Sequence, residues 1–122
     1  MKPLGSLTKG LTMMEQPICS KKKGCVLDVA HLYESARRQR ISVVKMATRT
    51  GSSHIGSALS VVDIMNLIYA RYVDIDRIRN VSFPRDYVIL SKGHAVMGQY
   101  AVLNEHGIIS DQEILGFYFN GS

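Results

Sequence analysis

Arg85-Asp86-Tyr87-Val88-Ile89-Leu90-Ser91-Lys92-Gly93-His94-Ala95 runs an apolar tetrapeptide straight into a polar turn and on towards a helix. Tyr87 to Leu90 are β-formers without polar alternation, the pattern of a strand covered on both faces, and predict one buried parallel-type strand over about Tyr87-Ser91. Pro84 has no N–H for a central ladder, so the strand starts after it. From about Ala95 to His106 the chain reads as a helix, stopped by Gly107. A strand that turns into a helix through Gly93 leaves main-chain N–H groups free at the helix start, where the dipole favours an anion. His94 stands there and can donate to a phosphate oxygen; the other reading is a histidine that merely caps the helix. Ligands of open α/β sheets collect at the carboxyl ends of strands, where this turn lies.

Upstream, Asp28 is a plausible N-cap, and Val29, Leu32, Tyr33, Ala36, Arg40, Val43, Val44 and Ala47 follow one helix face until Gly51. The loop Gly51-Ser52-Ser53-His54-Ile55-Gly56-Ser57 follows. Its glycines permit close approach of backbone to a ligand, and an imidazole there can exchange protons near neutral pH. An ordinary interhelical turn with an exposed His54 is the alternative. Ser60 and Asp63 read as a capping box for a second helix with a stripe of Val61, Ile64, Met65, Ile68 and Tyr72. Asp74 to Arg79 read as a polar connection. Ser110 and Glu113 predict another capping box, opening a short helix that carries Ile114, Leu115, Phe117 and Tyr118. His31, in the first turn of its helix, and His106, at a helix end, receive no functional role.

The chain has 122 residues, 46% of them apolar and 20% charged, which suits one folded domain and argues against disorder. No apolar run approaches the roughly 20 residues that span a bilayer, and no secretory signal is visible. Two cysteines, Cys19 and Cys25, make no disulfide framework, and with His31 they lack the ligand spacing of a structural zinc site. A soluble, cytoplasmic protein is the expectation. Residues 1–49 hold ten Lys or Arg against three acids, whereas residues 50–122 hold five against seven. Residues 1–27, with Lys21-Lys22-Lys23, read as a flexible basic extension. Such an arm can meet a polyanion, but no aromatics are interleaved to stack on bases, so nucleic acid is not the favoured partner. One predicted strand is no sheet, so the sequence is a piece of something larger or borrows strands from a partner.

At the two histidine loops the sequence meets a family. Ser53-His54-Ile55-Gly56-Ser57, followed by Leu59-Ser60, Asp63-Ile64 and Leu67-Ile68-Tyr69, resembles the N-terminal region of transketolases. Arg85 to Ala95 resembles their Arg-Asp-x-Φ-Φ-Φ-Ser-Lys-Gly-His-Ala segment, where Φ is apolar, with His94 forty residues after His54. The resemblance runs over roughly residues 30–122. It implies an α/β fold, with residues 28–122 as the N-terminal part of a thiamine diphosphate-binding domain, incomplete and mostly helical. It further implies an enzyme that moves a two-carbon ketol unit between sugar phosphates. His94 would lie against the cofactor's diphosphate, Gly93 would provide the tight turn beside it, and His54 would assist proton transfer at substrate hydroxyls. Ile55 departs from the Pro that many members carry and fits the split, small-subunit transketolases.

The resemblance also implies parts that these residues do not supply. The family holds Mg²⁺ or Ca²⁺ with a Gly-Asp-Gly segment and an Asn, hard oxygen donors suited to such ions. None of Asp28, Asp63, Asp74, Asp76, Asp86 and Asp111 lies between two glycines, so no residue of this chain is assigned to metal. The pyrimidine-binding half would come from a second domain or subunit, in a homo- or hetero-oligomer. The expectation is therefore a fragment, a truncated reading frame or a short remnant, inactive by itself. The alternatives are a non-catalytic module that docks to a complete subunit, and a polyanion-binding module that uses the basic arm.

Overall fold

The computed structural model describes residues 28–117 of the chain. The basic extension 1–27 with Cys19 and Cys25, and Tyr118 with the Gly121-Ser122 end, lie outside the described residues.

Helix α1 (Val29–Thr50) starts where the Asp28 carboxylate accepts from the Ala30 and His31 N–H groups at 3.0 and 3.2 Å. Such a cap stabilises a helix by about 1 kcal/mol. It ends at Gly51, whose φ of +67° a side-chain-bearing residue rarely adopts. These limits agree with the sequence reading; the buried face agrees at Ala36, Val43 and Ala47 and differs elsewhere. Ser35, Ala36, Gln39, Val43, Met46 and Ala47 face inward, while Val29, Tyr33 and Val44 are exposed. The stripe is rotated because a polar triad takes the inner position. Asn66 Oδ1 accepts from Ser35 Oγ and from Gln39 Nε2, each at 2.8 Å, and Asn66 Nδ2 donates to the Leu32 carbonyl. Once paired, these groups lose the usual penalty of burial.

Helix α2 (Ile55–Arg71) also corrects the sequence reading. It begins one turn and more before Ser60, so no Ser60–Asp63 capping box exists. Ser60 Oγ donates instead to the Ser57 carbonyl within the helix, and Asp63 pairs with Arg40. Its inner face is Ala58, Val62, Met65, Asn66, Tyr69 and Ala70, and Ile64 and Tyr72 are exposed. Residues Asp74 to Arg79 are more than a connection: Asp74 caps a short helix, α3 (Ile75–Arg79), accepting from the Arg77 N–H at 3.2 Å.

The predicted buried strand Tyr87–Ser91 is not formed. Among the described residues there is no strand, and the domain is mostly helical, so the sheet of the α/β expectation is missing here. The segment has no regular secondary structure and no neighbouring strand to share hydrogen bonds with among the described residues. Val88 and Leu90 pack against the cluster of Met65, Tyr69, Val73, Ile75 and Val102, whereas Tyr87 and Ile89 are 69% and 87% exposed. Its entry is fixed by the Asp86 carboxylate, which accepts from the Asp74 N–H, and by Arg77 donating to the Pro84 carbonyl.

A 3-10 turn (Gly93–Ala95) leads into α4 (Val96–Glu105), and Gly107 follows with φ +62° as expected. α5 (Asp111–Gly116) opens on the predicted capping box: Ser110 N–H donates to Glu113 and Glu113 N–H to Ser110 Oγ. The main core lies where α1, α2 and α4 meet, around Val43, Met46, Val62, Met97 and Ala101, with Phe117 at its edge. Among the described residues, no helix is long and apolar enough to cross a membrane.

His106, at the end of α4, is 2% exposed, and its Nε2 has no partner. Its ring lies 5.6 Å from that of Tyr69, and Arg79 donates to its carbonyl. Burial first, then the charges of Arg79 and His31, lower its pKa to about 4. The folded chain thus holds a neutral imidazole that the unfolded chain protonates below about pH 6.5. Stability is unaffected by this group above that pH and falls as pH drops towards 4. Urea unfolding should show a loss of roughly 2 kcal/mol between pH 7 and 5 that His106→Gln removes.

Candidate functional site

Two chain reversals meet at one end of the α2–α4 pair. In the first, Gly51 ends α1 and the Ser52 hydroxyl accepts from the His54 N–H at 3.4 Å, after which α2 starts. In the second, Lys92 precedes the 3-10 turn that holds Gly93 and His94. Each histidine lies at a helix start with no side-chain cap.

The distance between them is set one helical turn further on. Gly98 follows His94 by four residues, and Ala58 follows His54 by four. The helices touch there so closely that a Cβ on Gly98 would stand 2.6 Å from the Ala58 carbonyl oxygen and 2.9 Å from Val61 Cγ2. Only glycine admits this approach. One turn back, the His54 and His94 rings lie with centroids 4.3 Å apart and planes tilted by 35°. A second tie joins the same elements: Lys92 Nζ donates to Ser60 Oγ at 3.0 Å.

The structure therefore brings His54 and His94 together in one solvent-open site. Gly93 is exposed beside them and starts the 3-10 turn, with no positive φ. A Cβ on Gly93 or on Gly56 would meet nothing within 4 Å, so open space lies in front of both helix starts. That space, two uncapped helix N-termini, two imidazoles and the Lys92 ammonium suit an anionic group with hydroxyls near it. Among the described residues, no group of three or more His, Cys, Asp or Glu stands together to hold a metal ion. A separate cleft of about 680 Å³, lined by Tyr100, Ile109, Gln112 and Phe117, contains neither imidazole.

Sequence reasoning missed Lys92, Ser60, Ala58 and Gly98 as parts of this site. Gly98 carried a signal, since an isolated glycine inside an apolar helix costs stability unless something packs on it. The basic face of α1 is largely neutralised. Arg37 pairs with Glu34, Arg38 with Glu105, and Arg40 with Asp63, whereas the basic arm of the polyanion-binding alternative lies outside the described residues.

Comparison with known proteins follows the same residues. Residues 33–116 match the family described as transketolase, thiamine diphosphate binding domain. The transketolases of Mus musculus and Homo sapiens are each 38% identical over 87 residues, which is 69% of this chain and 14% of theirs. One subunit of the apulose-4-phosphate transketolase of Actinobacillus succinogenes is 37% identical over 76 residues, 62% of this chain and 27% of that protein. The match thus spans only a small part of these curated relatives. No solved structure matches.

The role given to Gly98 is open to direct measurement. Gly98→Ala should lower stability to denaturant by roughly 1–3 kcal/mol, the usual cost of overpacking, in spite of alanine's better helix propensity. The same change should weaken the nuclear Overhauser contacts between the His54 and His94 ring protons. Unchanged ring contacts would show that the helix crossing does not set the histidine spacing.

Proposed function

The chain belongs to the transketolase family, within its thiamine diphosphate-binding domain, and on that premise we propose that it forms one side of a site that transfers a two-carbon ketol unit between sugar phosphates. The supporting observation is the 4.3 Å spacing of the His54 and His94 rings, with open space before both helix starts. His94, on the N-terminal side of α4, donates to a diphosphate oxygen, aided by the main-chain N–H groups of the 3-10 turn. Gly93 keeps that approach free of side-chain bulk. His54, at the start of α2, gives or takes a proton at a substrate hydroxyl. Lys92, held by Ser60, adds positive charge at the rim.

Thiamine diphosphate, when bound, supplies the carbon that carries the transferred unit. The described residues do not fit the Mg²⁺ or Ca²⁺ that would neutralise its diphosphate, and no step is assigned to a metal here. In this reading, residues 28–122 are the N-terminal part of the cofactor domain. A second domain or subunit brings the pyrimidine-binding half, so the working form is an oligomer.

Half of the ligand shell should give little affinity. Calorimetric titration of the 122-residue chain with thiamine diphosphate and Mg²⁺ should show weak binding or none, and no transferase activity. Tight, metal-dependent binding would contradict this reading.

The two histidines should separate in a chimera that carries residues 33–116 in place of the matched stretch of the mouse relative. There, His94→Ala should raise the cofactor Kd at least about tenfold, the value of a hydrogen bond to a charged group. His54→Ala should lower kcat about a hundredfold with the cofactor Kd nearly unchanged. Effects of equal kind from both substitutions would overturn the division of roles.

A further inference from the structure

The α1–α2 pair carries a cleft of its own that the histidine site does not use. Val29, Leu32, Tyr33, Asp63, Asn66 and Leu67 line a space of about 190 Å³, well under the roughly 300–1,000 Å³ of a small-molecule pocket. Its apolar rim is open, with Tyr33 75%, Val29 67% and Leu67 39% exposed. The polar groups at the cleft are already engaged. Asn66 Oδ1 accepts from Ser35 and Gln39, Asn66 Nδ2 donates to the Leu32 carbonyl, and the Asp63 carboxylate holds Arg40. The space therefore suits one apolar side chain, whose burial leaves no polar group unmatched.

The chain itself supplies that side chain. Asp28 caps α1 from an extended conformation, φ −80° and ψ 102°, with its carboxylate on the Ala30 and His31 N–H groups. In a helix capped in this way the residue before the cap often packs on the fourth residue of the helix, which fixes the angle at which the chain enters. The residue before the cap is Leu27, outside the described residues, and the fourth of the helix is Leu32, in the lining of the cleft. Leu27 also ends Cys25-Val26-Leu27, the longest apolar run of residues 1–27. We propose that Leu27 seats in the α1–α2 cleft against Leu32 and Leu67, so that residues 25–27 form a strap that holds the start of α1 to α2.

The cleft takes the chain's own Leu27 in preference to any other apolar group. Only Asp28 separates Leu27 from Val29 in the cleft wall, so its effective concentration there exceeds that of a residue on another molecule. The strap gives the basic extension a fixed point of departure: Lys21-Lys22-Lys23 begins four residues before Leu27, about 13 Å away if that stretch is extended. That point is remote from the histidines. Asp63 and Leu67 follow His54 by nine and thirteen residues, which is about 14–20 Å along α2. The strap is therefore independent of the cofactor reading. It acts on the same two helices that Ser35, Gln39 and Asn66 join, and closes from outside the contact that the triad closes from within.

The test uses the full chain with Cys19→Ser and Cys25→Ser as background. Leu27→Cys combined with Leu67→Cys should close a disulfide within one chain on mild oxidation. Leu27→Cys combined with Glu34→Cys should not, because Glu34 is turned roughly 100–160° about the α1 axis from Val29, Leu32 and Tyr33. An undocked tail would favour position 34, since the loop it closes is far shorter. In urea, Leu27→Asp should lower the folded-to-unfolded ratio at least about fivefold with the helical circular dichroism unchanged, whereas Leu27→Met should leave the ratio nearly as it is. In a Leu67→Ala background the effect of Leu27→Asp should shrink by about half or more, as for residues in contact. Equal or preferred closure at position 34, a urea midpoint indifferent to Leu27→Asp, or an undiminished effect in the Leu67→Ala background would overturn the proposal. Disulfide-linked dimers in place of closed monomers would put Leu27 of a second copy in the cleft, and would overturn the strap as well.

Discussion

The main-chain contact between α2 and α4, Gly98 lying against the Ala58 carbonyl, is the constraint on which the site depends. Two helices normally keep about 8–10 Å between axes because their side chains intervene. Removing the side chain at one position, and using alanine at the other, lets the backbones meet. Because each contact residue lies one turn after a histidine, closeness at the crossing becomes closeness of the imidazoles. Neither ring is pinned by a side-chain cap; their spacing is inherited from the packing of the core around Val62, Met97 and Ala101.

The polar triad Ser35, Gln39 and Asn66 does for α1 and α2 what Gly98 does for α2 and α4. Its hydrogen bonds orient one helix against the other, and so fix which residues face the core. Gln39 Oε1 remains without a partner. An unpaired buried acceptor is costly, yet removal of Asn66 would cost more, because it would leave the Gln39 Nε2 donor unsatisfied as well, while Ser35 Oγ keeps the Leu32 carbonyl. The buried neutral His106 is a comparable tension at the other end of α4.

Local signals were legible where a single residue does the work. Asp28, Gly51, Gly107 and the Ser110–Glu113 box were readable because caps act within one turn of chain. The inner faces of α1 and α2 were legible only in part, at Ala36, Val43, Ala47 and Met65, because apolar periodicity places Ser35, Gln39 and Asn66 outside, and only a partner helix makes their burial favourable. The start of α2 was missed because Ser60 and Asp63 imitate a capping box in mid-helix. Residues Tyr87 to Leu90 were read by composition as covered on both sides, yet β-propensity describes fitness for a sheet and does not supply its neighbours. At the site, His54 and His94 were visible through their glycine-bearing loops and their family pattern, whereas Lys92–Ser60 and Ala58–Gly98 join residues more than thirty positions apart.

The amino-acid sequence alone determined the ends of α1 and α4 and the start of α5, the membership of two histidine loops in one family pattern, and the charge imbalance of the N-terminal part. These rest on contacts between near neighbours in the chain, or on residue types in fixed order. The tertiary structure decided which faces are buried, that α1's arginines are paired, that Val88 and Leu90 pack on the second core cluster without a strand, and that two imidazoles forty residues apart share one site. Each of those depends on where a second element lies, and on burial and hydrogen bonding that arise only when the elements pack.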